Sequence, residues 1–217
     1  MPHPDLLRRS VPPHKGEGGA EGDWTPSPPQ VPSRPMIAPG PTLETARLIL
    51  RPTAEEDLDG WADMMADPEA SRFIGGVQER PTAWRGMASM AGSWAIKGFG
   101  MFSLIEKSSG QWVGRLGPWQ PEGWPGTEVG WGLHPSAMGK GYAVEGATAA
   151  IDWAFDVLGW SEVIHCIDPD NTPSQRVAER LGSRNRGPGQ MPAPFQHLPI
   201  DIWGQSREDW MARRAAR

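Results

Sequence analysis

A short glycine-rich segment, Met138-Gly139-Lys140-Gly141-Tyr142, has the composition of an anion-binding loop. It follows an alternating apolar run that predicts a strand, and it precedes a stretch with helical spacing. At such a helix N-terminus, unpaired backbone N–H groups and the positive end of the helix dipole favour an anion. The two glycines let the backbone approach the anion without Cβ atoms, and Lys140 adds a positive charge. The segment therefore predicts a phosphate site.

Two common phosphate-binding motifs do not fit this segment. A Walker A loop requires four residues between its first glycine and Gly-Lys, followed by Ser or Thr. Here six residues separate Gly132 from Gly139, and Gly141 occupies the hydroxyl position. A dinucleotide fingerprint requires a third small residue, and Val144 stands there instead. A strand-to-helix turn that uses glycine only for its geometry remains an alternative to any phosphate site.

Three titratable residues lie close to the loop in sequence. Glu128 begins the preceding strand, and a partly buried carboxylate can have the raised pKa that proton abstraction near neutral pH requires. Glu128 is therefore the candidate general base, and a solvated carboxylate at a strand edge is the alternative. Glu145 lies in the first turn of the predicted helix, where an acid complements the helix dipole. His134 precedes Pro135, and we assign it to turn chemistry.

The composition excludes several classes of protein. The 217 residues predict one domain plus additional chain, and the net charge of −5 disfavours a general nucleic-acid binder, which would usually be basic. A single cysteine, Cys166, rules out an intramolecular disulfide and fits a reducing compartment, so we expect a cytoplasmic protein. We expect Cys166 to be a small core residue of a strand. No run approaches the roughly 18 apolar residues of a membrane span.

The N-terminal part of the chain differs from the rest. The first 36 residues hold nine prolines and four glycines. Such a segment buries too little apolar surface to offset its ordering entropy. We therefore expect residues 1–38 to be a disordered extension and residues 39–217 to form the domain. Met36 precedes the folded pattern, so either it is the natural start or the extension is a flexible tail that docks a partner.

The remaining sequence alternates strands and helices, which predicts one α+β domain with a mixed, mostly antiparallel sheet. We predict strands at 47–51, 99–106, 111–116, 128–133 and 162–167, with a last pair around 200–203. We predict helices beginning at Thr53 and Thr172, a helix over 82–95, and one after the glycine loop that ends before Gly159. Residues 119–126 are predicted to form a loop rich in proline, glycine and tryptophan.

The segment 128–145, EVGWGLHPSAMGKGYAVE, resembles motif A of the GCN5-related N-acetyltransferases, whose loop binds the pyrophosphate of acetyl-CoA. Gly139 and Gly141 match its two small positions, and Ser136 stands where many members have Gln or Arg. The order GWGLHP followed by GKGYA is similar to the RimJ/RimL-type branch, which acetylates protein N-termini and diverse small amines. Segments 45–52, 167–174, 177–182 and 203–210 also resemble that branch, so the resemblance covers about residues 43–214.

The resemblance implies a fold and a binding site for acetyl-CoA. The fold would have a mixed, mostly antiparallel central sheet of about seven strands flanked by helices, with the fourth and fifth strands splayed apart. The pantetheine arm would lie in that splay. Backbone N–H groups near Trp131, Gly132 and Leu133 would bind the arm and polarise the thioester carbonyl. The pyrophosphate would bind the backbone around the loop, at Met138, Gly139, Lys140, Gly141, Tyr142 and Ala143.

The resemblance also implies roles for Asn171 and Ser174. Asn171 would hydrogen-bond to the pantetheine arm, and Ser174 would donate to the leaving thiolate. Many relatives place a tyrosine acid seven residues after the asparagine, whereas this chain has Ala178 there. Capping of the following helix is the alternative explanation for both Asn171 and Ser174, because the two residue types are favoured at helix N-termini.

We predict an N-acetyltransferase that transfers acetyl from acetyl-CoA to a primary amine, on a protein N-terminus or a small molecule, by direct attack in a ternary complex. A non-catalytic acetyl-CoA-binding or partner-binding module with the same fold is the alternative. The expected partner is the amine acceptor, with no nucleic acid, membrane or metal involved, and a homodimer is compatible with the resemblance. Aromatic residues fall where the family builds its acceptor walls, although core packing explains most of them: Trp61, Phe73, Trp84, Trp94, Trp119, Trp124 and Trp203.

Overall fold

The computed structural model describes residues 40–216. The predicted N-terminal extension, residues 1–38, lies outside them. Within this range the strands are β1 (Leu43–Glu44), β2 (Leu48–Pro52), β3 (Phe102–Glu106), β4 (Trp112–Trp119), β5 (Glu128–Leu133), β6 (Glu162–Ile167), β7 (Arg184–Gly189) and β8 (Ile200–Ser206). The helices are α1 (Leu58–Ala66), α2 (Pro68–Ser71), α3 (Arg80–Lys97), α4 (Tyr142–Asp156), α5 (Thr172–Leu181) and α6 (Arg207–Ala215).

All the strands form a single sheet with the order β1-β2-β3-β4-β5-β6-β8-β7. Every neighbouring pair is antiparallel except β5 and β6, which run parallel. The prediction of a mixed, mostly antiparallel sheet with flanking helices is therefore confirmed. The sheet has eight strands, one more than the seven or so predicted, because the short β1 pairs with Ile49 and Leu50 of β2.

Strands β5 and β6 separate almost as soon as they meet. Strand β5 pairs with β4 along its whole length, from Glu128 opposite Trp119 to Leu133 opposite Gly114. Its pairing with β6 is confined to Glu128 opposite Ile164. This is the splay that the sequence predicts, and Glu128 lies at the point where the two strands diverge.

Helix α4 covers one face of the sheet and forms the main core. The fully buried side chains at this interface come from several strands and from α4: Leu48, Leu50, Phe102, Leu104, Leu116, Val129, Ala147, Ile151 and Phe155. A second buried cluster joins α1 to α3 through Trp61, Met64, Met65, Ala83 and Met87. Side chains alternate along a strand, so the neighbours of Leu116 and Val129, namely Arg115 and Glu128, point away from α4.

Several boundaries differ from the sequence prediction. Strand β3 begins at Phe102 and not at 99, helix α1 begins at Leu58 and not at Thr53, and β8 extends to Ser206. Strand β4 continues to Trp119, past the predicted end at 116, because Gly117 and Pro118 remain paired with β5. Helix α3 begins at Arg80, before the predicted start at 82, since Pro81 occupies the first turn, where its missing N–H is tolerated. None of the helices in residues 40–216 is long and apolar enough to cross a membrane.

Candidate active site

A cavity of about 850 Å³ lies beside the splay between β5 and β6. Glu128, Trp131, Asn171 and Ser174, all predicted as site residues, line it together. Glu128 and Trp131 come from β5, whereas Asn171 and Ser174 come from the N-terminal end of α5. The fold thus brings together residues that lie more than forty positions apart in sequence.

Glu128 is buried, with a relative exposure of 6%. Its Oε2 accepts a 2.5 Å hydrogen bond from Trp124 Nε1, and its Oε1 accepts a 3.1 Å bond from the Cys166 backbone N–H. Burial raises the pKa of Glu128 to about 7, and these hydrogen bonds together with the charge of Arg115 limit the rise. Of the two alternatives that the sequence left open, a buried carboxylate and a solvated one at a strand edge, the structure has the buried carboxylate. The pKa suits a group that exchanges protons near neutral pH.

Two hydrogen bonds connect Trp131, Ser174 and Asn171. Trp131 Nε1 donates to Ser174 Oγ at 3.1 Å, and the Ser174 backbone N–H donates to Asn171 Oδ1 at 3.2 Å. Asn171 therefore caps α5, one residue before Thr172, which the sequence pattern favours as the cap, and Pro173 lies in the first turn. Ser174 Oγ accepts from the indole, which leaves its own proton available for a further acceptor.

The glycine loop has the geometry expected for anion binding. Gly139 and Gly141 have φ values of 74° and 83°, in the left-handed region, and Gly141 is the N-cap of α4. No residue in the described part of the chain accepts a hydrogen bond from the N–H groups of Gly139, Lys140 or Gly141. Lys140 Nζ is half-exposed and lies 3.8 Å from Glu106 Oε1. The loop thus offers free backbone donors, which fit a pyrophosphate.

The other loop residues contribute through their backbone. Tyr142 is buried, and its hydroxyl donates to Glu106. Ala143 is buried in the first turn of α4, whereas the Met138 side chain is 42% exposed. Of the groups predicted to bind pyrophosphate, the side chains of Tyr142 and Ala143 are therefore committed to packing, and their backbone N–H groups remain the relevant donors.

The β5 backbone from Trp131 to Leu133 pairs on one edge only. Gly132, for example, lies opposite Arg115 of β4, but the edge that faces β6 has no register partner in residues 40–216 beyond Glu128. A strand edge of this kind can pair with an extended ligand in the manner of an added strand. It lies where the pantetheine arm was predicted to bind.

His165, which the sequence analysis did not single out as a site residue, occupies the wedge between β5 and β6. Its Nδ1 lies 2.7 Å from the carbonyl oxygen of Val129, and its Nε2 lies 2.9 Å from Ser183 Oγ. A carbonyl only accepts, so Nδ1 carries the proton and Nε2 accepts from Ser183. Burial lowers the pKa of His165 to about 4. His165 is therefore a neutral spacer between the strands at physiological pH.

Arg115 is a second cavity residue that the sequence analysis missed. It is 8% exposed, and burial lowers the pKa of its guanidinium to about 10, while the charge of Glu128 opposes that change. Its Cζ lies 5.3 Å from the centre of the Trp61 ring. A charged residue between Gly114 and Leu116, within a predicted strand, was the sequence signal that could have identified it.

The structure divides the aromatic residues that were predicted near the acceptor walls. Those that line the cavity are Trp61, Phe73, Trp119 and Trp124. Trp94 is instead buried in the main core, where its Nε1 donates to the Met101 carbonyl oxygen at 3.0 Å. Trp203 is buried against Ile167 and Ala178, and Trp84 is 51% exposed. Trp94 and Trp203 are therefore packing residues, as expected for most of this set, and Trp84 does not line the cavity.

The remaining titratable candidates have structural partners. His134 Nδ1 accepts from the Ser136 backbone N–H at 3.3 Å, which is turn chemistry as expected. Glu145 accepts from Thr45 Oγ1 at 2.6 Å and from Arg47 Nε at 2.7 Å, and so ties the first strands to α4. Cys166 was expected in the core, which is wrong: it is half-buried and lines the cavity. Burial and the neighbouring Glu128 raise the pKa of the Cys166 thiol, so the thiol is a poor nucleophile.

Comparisons with known proteins agree with this geometry. Residues 47–184 match the family described as acetyltransferase (GNAT) domain. The uncharacterized N-acetyltransferase p20 of Bacillus licheniformis is 29% identical over 149 residues, covering 67% of this chain and 84% of that protein. An acetyltransferase of Agrobacterium tumefaciens has a TM-score of 0.67 at 30% identity, covering 77% of this chain and 95% of that structure. The ribosomal-protein-S5-alanine acetyltransferase of Vibrio fischeri shares the fold, with a TM-score of 0.60 at 16% identity over 78% of this chain and 98% of that structure.

Proposed function

This chain belongs to the acetyltransferase (GNAT) family, and we propose that it transfers the acetyl group of acetyl-CoA to a primary amine by direct attack in a ternary complex. Membership makes it an acyl-CoA-dependent acetyltransferase, as the sequence predicts. The observation that carries the finer proposal is Glu128, a buried carboxyl with a pKa of about 7 at the point where β5 and β6 separate.

Glu128 is the proposed general base. An amine attacks the thioester only when it is neutral, so a proton must leave it before or during attack. A carboxyl with a pKa of about 7 is substantially ionised at neutral pH and still basic enough to accept that proton. Trp124 and the Cys166 N–H hold its two oxygens in place, which keeps the carboxylate oriented towards the cavity.

Acetyl-CoA is proposed to bind along α4 and β5. The free N–H groups of the glycine loop and the Lys140 ammonium would hold the pyrophosphate, because both favour negative charge at the N-terminus of α4. The unpaired edge of β5 from Trp131 to Leu133 would hold the extended arm and donate to the carbonyl oxygen as it gains charge.

Ser174 is the proposed donor to the leaving group. In the transfer, the bond between the amine nitrogen and the acetyl carbon forms, the bond from that carbon to sulfur breaks, and the amine proton passes to Glu128. The thiolate that leaves needs a hydrogen-bond donor. Trp131 Nε1 already donates to Ser174 Oγ, and this polarises the Ser174 hydroxyl into a stronger donor.

A non-catalytic binding module is the competing function. It is favoured by Ala178, which is fully buried and carries no hydroxyl where many relatives have the tyrosine acid. A pure binder would take up acetyl-CoA and release no thiol with any amine. An enzyme would release free CoA in proportion to the acceptor.

Two measurements test the proposal. Calorimetric titration with acetyl-CoA, with ATP as control, should show micromolar binding of acetyl-CoA alone. Steady-state assay of free CoA thiol with a panel of primary amines should then show acceptor-dependent release. Binding without release from any amine or peptide would establish the binding module instead, and absence of binding would remove the acetyl-CoA site from the glycine loop.

A further inference from the structure

The cavity that holds Glu128 also holds a buried cation on the same face of the sheet. Trp119 of β4 lies directly opposite Glu128 of β5, and Arg115 of β4 lies directly opposite Gly132. Positions 115 and 119 share a face because side chains alternate along a strand. Both Arg115 and Glu128 line the cavity, and both are more than nine-tenths buried.

The guanidinium of Arg115 lacks an anionic partner of its own. Its Nη1 donates to the thioether sulfur of Met101 at 2.8 Å, which is a weak acceptor. Its Nε has no hydrogen-bond partner, and none of the carboxylates described for residues 40–216 lies within the 4.0 Å that defines an ion pair with it. A buried cation in this state is destabilising unless something else pairs with it.

Glycine positions and the flexible side chain of Met101 separate Arg115 from Glu128. The positions between them on this face are glycines, Gly130 and Gly132 of β5 and Gly117 of β4. A Cβ atom at Gly132 would lie 3.8 Å from Arg115 Cζ and 3.3 Å from Ile74 Cδ1. A Cβ atom at Gly130 would lie 2.7 Å from Met101 Cε and 3.3 Å from Glu128 Oε1. Between the cation and the carboxyl the sheet therefore carries no side chains of its own, and the unbranched, movable Met101 thioether covers it.

We propose that Arg115 binds a carboxylate of the acceptor, and that the acceptor is an amino acid, in which a primary amine and a carboxylate belong to one small molecule. This assignment rests on the proposed acetyltransferase function and names its substrate class. A planar guanidinium binds a carboxylate through two parallel hydrogen bonds, and the Trp61 ring beneath Arg115 Cζ holds the plane in place. The same molecule then presents its amine to Glu128.

Arg115 could instead act only on Glu128, through the charge that opposes the rise in the Glu128 pKa. The two roles have different consequences. An effect through Glu128 changes the reaction of every amine equally and moves its pH profile. A carboxylate contact changes the reaction of amino acids and leaves that of their neutral analogues unaffected.

The test compares each of a set of amino acids with its α-carboxamide, which keeps the amine and side chain and removes the charge. Wild-type kcat/KM should favour the amino acid of a pair by roughly 10- to 100-fold, the range for a hydrogen-bonded charge. Arg115→Met should abolish that preference, and Arg115→Lys should retain part of it. Arg72→Gln is the matched control, because Arg72 is exposed and lines the same cavity, and it should leave the preference unchanged.

Acetyl-CoA affinity and thermal melting establish that each variant is folded. If Arg115→Met does not fold, the comparison of amino acids with their amides is made with Arg115→Lys. Calorimetric binding of the amino acids and their amides to the acetyl-CoA-free protein gives a readout apart from catalysis. Carboxylate-dependent binding that needs Arg115, without thiol release, would support this assignment and refute the proposed function. Acetylation of amides as fast as amino acids, or a preference that survives in Arg115→Met, would overturn the assignment and leave the acetyltransferase intact.

Discussion

At the scale of a single residue, the proposed role of Glu128 as general base predicts how the reaction depends on pH. Its carboxyl is active as a base only when ionised, and its pKa is about 7. We expect kcat/KM of the wild type to rise with pH through a limb centred near that value and then level off. Glu128→Gln should remove the limb and lower kcat/KM by roughly 10²- to 10⁴-fold, the usual contribution of a general base. The pH profile of CoA release measures both.

Glu122→Gln is the matched control for that prediction. Glu122 lines the same cavity but is exposed, so its substitution should preserve the limb. His165 stays neutral throughout this range because its pKa lies near 4, and it adds no second limb. A Glu128→Gln variant with an unaltered pH profile would remove Glu128 from the role of base.

Ser174→Ala should lower kcat while acetyl-CoA affinity stays close to that of the wild type. In the proposed mechanism the hydroxyl contacts the thiolate only as the thiolate forms, so its loss would act on the transition state. A lost hydrogen bond to a charged group predicts roughly a 10- to 100-fold decrease. Thr172→Ala is the control, since Thr172 is exposed in the same turn of α5. Equal kcat in the two variants would mean that the Ser174 hydroxyl takes no part in the reaction and serves only as the hydrogen-bond acceptor of Trp131.

The sequence identifies those site residues that stand beside a recognisable motif. Glu128 begins the strand that leads into the glycine loop, and Ser174 follows Asn171 at the helix start that the sequence predicts. Arg115 and His165 were missed because their significance depends on what faces them. Whether a charged strand residue is buried without an anionic partner is determined by β5 and Met101, and local spacing carries no information about either.

At the scale of an element, the proposed binding of the acetyl-CoA pyrophosphate by the glycine loop predicts the effect of a loop substitution. Gly139 has φ of 74° and no atom within 4 Å of a Cβ placed on it, so Gly139→Ala introduces backbone strain without a steric clash. The left-handed conformation destabilises alanine by about 1–2 kcal/mol. If the loop relaxes, its N–H groups turn away from the anion. We expect weaker acetyl-CoA binding by calorimetry, with a modest decrease in melting temperature.

Gly159→Ala separates strain from binding in that experiment. Gly159 follows the other end of α4, has φ of 69° and is likewise free of neighbours within 4 Å. It should lose similar stability and keep the affinity of the wild type for acetyl-CoA. Equal affinities in the two alanine variants would show that the loop glycines serve geometry alone.

The sequence predicted helix α4 well, because its apolar residues recur at helical spacing. It did not predict the bounds of strand β7, which depends on pairing with another strand. Helix α4 has an apolar stripe that the structure buries completely at Ala147, Ala150, Ile151, Ala154 and Phe155. Strand β7 has the sequence RNRGPG, which shows no alternation and contains residues that disfavour strands. It is a strand because β8 pairs with it, and that interaction is not encoded within β7.

Residues 40–216 contain a buried core and the cavity, which leads to a prediction at the scale of the whole molecule. We propose that residues 39–217 form the acetyltransferase domain and that residues 1–38 are dispensable for its folding. The contacts of Thr45 and Arg47 with Glu145 tie the first described strands to α4, so a start at residue 39 preserves them. Melting temperature and acetyl-CoA affinity should match those of the full chain. A clear loss of either would show that the extension packs on the domain.

The burial that raises the pKa of Glu128, and so suits it to the proposed role of base, also lowers the stability of the folded protein when the carboxyl is ionised. Its pKa is about 7 in the folded protein against an ordinary value of 4.5, so between those pH values the folded state binds more protons than the unfolded state. Stability therefore falls as pH rises through that window. The shift corresponds to about 3 kcal/mol once the carboxyl is fully ionised. Glu128→Gln has no such dependence, because an amide of the same shape does not titrate.

The melting temperature of Glu128→Gln relative to the wild type should therefore rise from pH 5 to pH 8, by several degrees. The substitution also alters the hydrogen bonds to Trp124 and Cys166, and this shifts the melting temperature of the variant by the same amount at every pH. The quantity to measure is therefore how the melting-temperature difference between variant and wild type changes with pH. His165 titrates in both proteins and cancels. A difference that stays constant across the range would mean that Glu128 titrates normally, and a base for neutral pH would have to be found elsewhere. A rising difference would show that the fold contains a buried carboxylate whose ionisation destabilises it, with the raised pKa that the proposed base requires.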